Sequence, residues 1–205
     1  MNDTSPNHHH RDLGTALLDE AAAMIAQGGV ASVTMRALGR RLGVSRGAPY
    51  RHFASKEALL VAVAAAGFNR LTTRLQAVDA AAPGCGVERL RRLGEAYVRF
   101  AVEHPAHYRL MYGREALTRD EVPTLRDAAV RLFDEMVEVI RAHQKTGNIK
   151  RQDPHTQAYV AWSALHGLAS LWIEGQILAT DDIEGLIRQT TTTVLDGMRV
   201  QPRPA

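Results

Sequence analysis

The chain has 205 residues, of which 45% are hydrophobic and 23% are charged, and its formal net charge at pH 7 is +3. We expect no membrane span, because no stretch of roughly 20 residues is apolar throughout, and no signal peptide, because Met1–Arg11 is polar. A single cysteine, Cys85, excludes an intramolecular disulfide and fits a reducing cytoplasm.

The positive charge is concentrated near the amino end. Residues 1–56 hold seven Lys and Arg against four Asp and Glu, whereas residues 57–205 hold eighteen of each. Between Ala21 and Lys56 there is no acidic residue. A cationic surplus confined to one segment is the electrostatic footprint of contact with DNA.

The first two helices are predicted from apolar spacing and punctuation. Apolar residues recur every four positions from about residue 11 to residue 27, which indicates one amphipathic helix. Gly28-Gly29 ends it. Thr34 is then expected to cap a short second helix, whose inner face includes Leu38 and Leu42.

A glycine turn separates the second helix from a third. Gly43 is expected to supply the turn, and Ser45 to cap a third helix at about 46–53. Ser55 is expected to cap a fourth helix that continues to about residue 80. Two short helices joined by such a turn within a cationic segment predict a helix-turn-helix that binds DNA.

The rest of the chain predicts five more helices and no strand. They are expected at about 87–103, from Pro105 onward, at 122–145, at 154–178 and at 181–200. The turn-forming stretch 83–86 is the predicted junction. We therefore expect an all-α protein of about nine helices, with a three-helix DNA-binding head over 11–60 and a larger ligand-binding and dimerisation domain over 61–200.

The eighth helix is apolar on two sides. Tyr159, Trp162 and His166 lie on one stripe, and Leu165 and Trp172 on another. A helix of this kind has to be covered on both sides. We expect one face to pack in its own domain and the other to form a homodimer, through the helices at about 154–178 and 181–200. A two-fold dimer also matches paired half-sites on DNA.

Specific motifs support this interpretation. Gly-Val-Ser occurs at 43–45, Tyr-x-His-Phe at 50–53 and Ser-Lys-x-x-Leu at 55–59. In these motifs and their spacing, residues 11–60 resemble the DNA-binding head of the tetracycline-repressor (TetR) family. The C-terminal part is similar to that family in length and helix count, and Trp162 with His166-Gly167 resembles the Trp…His-Gly pattern of one subgroup. The resemblance implies a repressor that a small effector releases from a palindromic operator in double-stranded DNA.

The third helix is expected to enter the major groove, with its first residues nearest the base edges. Arg46 is the candidate for a bidentate contact with guanine, and Lys56 for a phosphate contact. Gly47 lacks bulk, so the backbone can come close to the duplex, and Pro49 departs from the usual family pattern. Tyr50 has an alternative, partly structural role, and simple solvation of a helix face is an equal alternative for Arg40 and Arg41. The candidate DNA contacts are Thr34, Arg36, Arg46, Gly47, Ala48, Pro49, Tyr50, His52 and Lys56.

The effector site is predicted less sharply than the DNA site. The resemblance implies a small ligand lodged between helices of the C-terminal domain, and aromatic and methionine side chains are the candidates to line such a cavity, although plain core packing is the alternative for each of them. Trp162 and His166, one helical turn apart, are the favoured pair. The candidate ligand contacts are Phe100, Tyr108, Met111, Tyr112, Phe133, Met136, Trp162 and His166.

Other function classes are disfavoured. The chain has no glycine-rich phosphate loop, no recognisable nucleophile–base pair and no metal-ligand spacing, so we expect neither catalysis nor a cofactor. His8-His9-His10 is expected to be a disordered tail, and Cys85 to be an inert thiol. The alternative that stays open is a helical interaction or membrane-surface protein that uses the basic stretch, although attraction to lipid needs charge only and not caps or turns.

Overall fold

The structure is a computed structural model that describes residues 6–81, 87–112, 122–178 and 182–200, with side chains from residue 13 onward. These ranges confirm the predicted all-α class, and their one extended pairing is an isolated antiparallel bridge between Ile149 and Arg199. A short 3₁₀ helix covers Val30–Ser32. The α-helices within these ranges are α1 Pro6–Gly28, α2 Met35–Arg41, α3 Ala48–His52, α4 Lys56–Ala81, α5 Val87–Glu103, α6 Pro105–Tyr112, α7 Pro123–Lys145, α8 Pro154–Ile173 and α9 Ile183–Met198.

Two helix ends lie about five residues from their predicted positions. Helix α1 begins at Pro6 and not near residue 11, so the three histidines lie in a helix and the expectation of a disordered tail is wrong. Proline suits the first position of a helix, where its missing N–H would have no partner in any case. Helix α8 ends at Ile173, before the predicted residue 178, because Gly175 takes the left-handed φ of 66° and its N–H donates to the Trp172 carbonyl at 3.0 Å.

The described chain forms two compact units that do not follow the chain order. The first comprises Met1–Phe68 and Pro105–Asp127, and the second comprises Asn69–His104 and Ala128–Ala205. One boundary between them falls inside α4. The functional division at about residue 60 stays a prediction, and the predicted junction at 83–86, with Cys85, lies outside the described residues.

The first unit packs α1 against α2, α3, α6 and the 3₁₀ helix. Leu17 and Ala21, one turn apart on α1, are fully buried, as are Leu38 of α2 and Leu59 and Val63 of α4. Each of these leucine and valine side chains stabilises the fold by about 1.5–3 kcal/mol. This core holds the short helices of the unit in place, because helices of five and seven residues are not stable alone.

The second unit packs α5, α8 and α9 against one another. Gly94 of α5 makes this approach possible, since a Cβ at that position would lie 3.1 Å from Cγ2 of Thr191 and 3.3 Å from Cδ1 of Leu165. A second cluster, around Val137 and Ile149, joins α7 to the segment that leads into α8. The helices that the sequence predicts for dimerisation are thus anchored on one side in their own unit.

Candidate nucleic-acid interface

Side-chain caps fix where α2 and α4 begin. Thr34 Oγ1 accepts a hydrogen bond from the Ala37 N–H at 3.1 Å, and Ser55 Oγ accepts one from the Ala58 N–H at 3.1 Å. Both predicted caps are therefore confirmed. A hydroxyl cap satisfies one of the backbone donors that a helix start leaves without a partner, and it typically stabilises by about 1 kcal/mol.

A glycine fixes the turn after α2. Gly43 has a φ of 67°, its N–H donates to the Arg40 carbonyl at 3.3 Å, and the Val44 N–H donates to the Gly39 carbonyl at 2.9 Å. This pair of bonds is a Schellman motif, which needs a left-handed residue at the glycine position. The predicted role of Gly43 is confirmed.

The third helix begins two residues later than predicted. The Ala48 N–H donates to the Ser45 carbonyl at 2.9 Å, so Arg46 and Gly47 lie in a turn that precedes α3. No side chain caps α3, and its N-cap is Gly47. The prediction that the Ser45 side chain caps this helix is therefore wrong, because a backbone bond closes the turn instead.

Four arginines form an exposed cationic surface on this part of the first unit. Within the described residues, no hydrogen bond or ion pair is found for any of them. By contrast, Arg41 Nε lies 2.8 Å from Glu20 Oε1, and its Nη2 donates to Gln27 Oε1 at 3.0 Å, so this arginine ties α2 to α1. The exposed arginines are Arg36, Arg40, Arg46 and Arg51.

Of the predicted DNA contacts on and beside α3, some are exposed and others are buried. Tyr50 is 55% exposed, and Arg51 and Gly47 are exposed beside it. Ala48 is 2% exposed and Pro49 is buried, and Pro49 packs against α2, where its Cγ lies 3.6 Å from an ideal Cβ on Gly39. These two candidate DNA contacts thus pack in the interior of the first unit.

His52 also faces inward. Its ring is half-buried, and Nδ1 lies 3.4 Å from an ideal Cβ on Gly14 of α1. Within the motif Tyr-x-His-Phe, the tyrosine therefore points outward and the histidine packs on the first helix. The sequence spacing of a five-residue helix is too short to show which side faces the core.

Lys56 has a partner inside the protein. Its Nζ donates to the Val30 carbonyl at 2.8 Å, which ties the start of α4 to the 3₁₀ helix. At the same helix start, the Glu57 carboxylate accepts hydrogen bonds from its own backbone N–H and from Ser55, and these bonds hold its pKa below the usual value. A carboxylate therefore already occupies the positive end of α4. The phosphate contact of Lys56 stays a prediction.

The candidate ligand residues fall into both compact units. Tyr108, Met111 and Tyr112 belong to the first unit, where Tyr112 packs edge-on against Phe68 at 5.5 Å between ring centroids. Met111 is fully buried beside Gly67, whose added Cβ would lie 2.7 Å from Sδ. These three side chains therefore form part of the core around α4 and α6.

The other candidates belong to the second unit, and Trp162 and His166 share a polar network there. Trp162 Nε1 donates to Tyr97 Oη at 3.0 Å, and the same oxygen lies 3.5 Å from His166 Nδ1. His166 Nε2 lies 3.4 Å from Ser170 Oγ. Tyr97 is a member that sequence reasoning missed, because it lies on α5, 65 residues away, and no spacing rule connects the two helices.

The remaining candidates lie around this network or in the core. Phe133 is half-buried and meets Trp162 edge-on at 6.3 Å between ring centroids. Met136 packs against the Val137 cluster. Phe100 is 1% exposed, with its ring 4.9 Å from that of His104, and so belongs to the core.

The outer face of α8 is apolar and open. Val160 is 57% exposed, Leu171 is 50% exposed, and an ideal Cβ on Gly167 between them has no atom within 4 Å. Tyr159 is 54% exposed and stacks on Phe133 at 4.4 Å between ring centroids. Among the described helices, none is both long and apolar enough to cross a membrane.

Comparison with known proteins identifies both parts of the chain. Residues 17–63 match the family model of bacterial regulatory proteins of the tetR family, and residues 90–194 match the model of the tetracyclin repressor-like C-terminal domain. An uncharacterized HTH-type transcriptional regulator, YobS of Bacillus subtilis (strain 168), is 30% identical over 92 residues. The match covers 45% of this chain and about half, 47%, of that relative.

Solved structures share the fold over nearly the full length. A protein of unknown function from Rhodococcus sp. RHA1 superposes with a TM-score of 0.77 at 29% identity, over 92% of this chain and 96% of that one. The TetR family transcriptional regulator PfmR from Thermus thermophilus superposes with a TM-score of 0.71 at 21% identity, over 88% and 97% of the two chains.

Proposed function

Because this chain belongs to the TetR family of bacterial regulatory proteins, we propose that it is a repressor that binds a palindromic operator as a homodimer and is released by a small-molecule effector. The observation on which the proposal mainly rests is the exposed arginine surface around a capped helix-turn-helix. Arginines without internal partners can pair with phosphates or guanine at no cost to internal ion pairs. Operator binding would place the protein in the cytoplasm.

The proposed DNA contacts are fewer than the sequence suggests. Arg46 and Tyr50 face outward at the turn and on α3, and Thr34 and Arg36 are exposed at the start of α2. We keep these four with Gly47, and keep Lys56 as a phosphate contact. Ala48, Pro49 and His52 support the head by packing. Ordered caps and a fixed turn favour a duplex over an anionic lipid surface, for which charge is sufficient.

The proposed dimer uses α8 and α9. The exposed Val160 and Leu171 supply an apolar surface, and the absence of a side chain at Gly167 allows a second helix to come close. Glycine inside a helix costs roughly 0.5–1 kcal/mol relative to alanine, which a close helix crossing would explain. Two heads held by such a dimer would read half-sites one helical turn apart.

The proposed effector site is the network of Tyr97, Trp162 and His166. It combines apolar rings with a few convergent polar groups, as small-molecule sites do. An effector that prefers the released conformation by about 1–3 kcal/mol would weaken operator binding by roughly 5- to 150-fold. Fluorescence of Trp162, measured in a Trp172→Phe background, can screen small molecules. A compound that changes this signal should also weaken DNA binding.

Selection from a random duplex library tests the proposal. Wild-type protein should enrich one palindromic sequence, and its affinity for that duplex should fall steeply with salt. Anionic vesicles of phosphatidylglycerol and phosphatidylcholine serve as the competing surface. Equal affinity for unselected duplexes and these vesicles would contradict the proposal and would favour the membrane-surface alternative.

A further inference from the structure

Arg41 joins the end of α2 to α1 at two points. Its Nε lies 2.8 Å from Glu20 Oε1, and its Nη2 donates to Gln27 Oε1 at 3.0 Å. The side chains of Arg41 and Glu20 are 39% and 24% exposed, so the pair lies at the surface of the first unit. We call Arg41, Glu20 and Gln27 the Arg41 clamp.

The two contacts of the Arg41 clamp fix a direction as well as a distance. Glu20 and Gln27 lie about two turns, or roughly 10 Å, apart along α1 and on the same face of it. They bind different nitrogens of one planar and rigid guanidinium group. Because Arg41 is the last residue of α2, the clamp acts where this helix passes into the turn.

The hydrophobic core does not fix this part of the head. The buried residues of α2 lie between Met35 and Gly39, whereas none of residues 40–47 is buried, and Leu42 and Val44 are half-buried. Within the described ranges, Arg41 is the only one of residues 40–47 whose side chain forms a hydrogen bond or ion pair. The orientation of the turn relative to α1 therefore depends on the clamp.

Base recognition is more sensitive to this orientation than phosphate binding is. Arg46 lies in the turn beyond the clamp, and a bidentate contact of its side chain with guanine requires both a distance and a direction. Attraction to phosphates depends mainly on charge, which a small tilt of the turn does not change. A change in the clamp should therefore affect specificity more than non-specific affinity.

We propose that Arg41 is a positioning residue for operator recognition, and that the Arg41 clamp sets the orientation in which the turn and α3 meet the base edges. The inference rests on the proposed function. An exposed ion pair favours its paired geometry by about 1.4- to 5-fold. A dimer has two heads, so loss of both clamps should lower the preference for the operator by about the square of this factor, roughly 2- to 30-fold.

The test is Glu20→Gln, with Asp19→Asn as the matched control. Both variants remove one negative charge from α1, and Asp19 is exposed and is not one of the two partners of Arg41. Neither variant should bind unselected duplex more weakly than wild type does, because a negative charge is lost. The ratio of the affinities for selected and unselected duplex should fall by about 2- to 30-fold in Glu20→Gln and should be unchanged in Asp19→Asn.

This ratio separates positioning from the two other roles that Arg41 could have. If Arg41 bound a phosphate, Glu20→Gln would release its side chain, and both duplexes would bind more tightly at an unchanged ratio. If the clamp served stability alone, the thermal midpoint would fall and the ratio would again be unchanged. Either result would overturn the inference.

Arg41→Gln completes a double-mutant cycle. The ratio should fall at least as far as in Glu20→Gln, and the double variant should lose no more than Arg41→Gln does, because both changes remove the same contact. Additive losses would overturn the inference too. All variants are compared well below their thermal midpoints, so that unfolding does not contribute. If wild type selects no duplex, the proposed function fails instead.

Discussion

At the scale of single residues, neighbouring cations have different surroundings. Arg46 is exposed without a partner among the described residues, Lys56 donates to the Val30 carbonyl, and Arg41 is paired with Glu20. The same charge is thus exposed to solvent in one case and stabilises the fold in the other two. The sequence predicts a cationic segment, but only the contacts show which side chains are available to DNA.

We predict that Arg46→Ala leaves the free energy of unfolding within about 0.5 kcal/mol of wild type, since an exposed side chain with no hydrogen bond or ion pair among the described residues contributes little. Its binding should weaken by about 1–3 kcal/mol, with relaxed preference at one base position. Lys56→Ala should weaken all duplexes alike and reduce the salt slope by about 1. Binding to a set of single-base operator variants measures the affinity and the base preference of each variant. If Lys56→Ala relaxed the preference and Arg46→Ala weakened all duplexes alike, the proposed orientation of α3 in the groove would be wrong.

Substitution of Lys56 should also lower the stability of the fold, which substitution of Arg46 should not. Loss of its hydrogen bond to Val30 should lower the free energy of unfolding by about 0.5–1.5 kcal/mol. Urea unfolding of the two variants compares these effects directly. An Arg46→Ala protein that is destabilised as much as Lys56→Ala would show that Arg46 also has an internal partner.

At the scale of elements, the turn between α2 and α3 depends on the conformation of one residue. Gly43→Ala forces a Cβ into the left-handed region, which costs roughly 1–2 kcal/mol. We predict lower stability together with weaker binding to every duplex, measured by urea unfolding and by DNA titration. Gly39→Ala is the control, because its φ is not left-handed and its Cβ would meet neighbours at an ordinary 3.6 Å. Equal loss in both variants would count against the turn argument.

An ion pair joins α5 to α9. Arg99 Nη2 lies 2.7 Å from Glu184 Oε2, and this bond holds the pKa of Glu184 below its usual value of 4.5. A lowered folded-state pKa means that the stabilisation is present above pH 4.5 and is lost as the pH falls through the folded-state value. Because Glu184 is 46% exposed, we expect only about 0.3–1 kcal/mol.

The variant that checks this ion pair is Glu184→Gln. Its free energy of unfolding should lie below that of wild type at pH 7, and the difference should shrink as the pH falls below 4.5 and through the lowered pKa of Glu184 in the folded state. Glu138→Gln is the control, since Glu138 pairs with Arg141 on its own helix and is 66% exposed. A difference that stays constant with pH would contradict the assignment to a carboxylate charge.

At the scale of the whole molecule, the apolar outer face of α8 predicts a dimer. Val160→Glu places a charge on this face. We expect the variant to be monomeric and to fold as stably as wild type does in monomeric form, because Val160 is 57% exposed and makes little contribution to the core of its own chain. Light scattering coupled to gel filtration measures the mass.

The consequence for DNA follows from the loss of one head. A monomer binds one half-site, so affinity for the full palindrome should fall to the level of a single half-site. The control is Val130→Glu, which makes the same substitution at a position that is 51% exposed on α7, outside the proposed interface. A Val160→Glu protein that stays dimeric would exclude this face as the centre of the interface.

Sequence alone determined the elements whose signals are local. Thr34 and Ser55 start helices because a hydroxyl can reach the backbone three residues on, and Gly29 and Gly43 end them because only glycine adopts the left-handed turn readily. The family motifs between residues 43 and 59 are also short runs of neighbouring residues, so they can be found in the sequence alone. The start of α1 was missed, since its first turns are polar and lack apolar periodicity.

Only the tertiary structure decided which side chains of a helix are buried and which residues they contact. Ala48, Pro49 and His52 turn inward because α1 and α2 lie on that side of α3, and Tyr97 joins Trp162 because α5 packs against α8. Such contacts join residues that are far apart along the chain, so no local sequence pattern predicts them. They arise only when separate apolar faces exclude water together, and that is a property of the packed molecule.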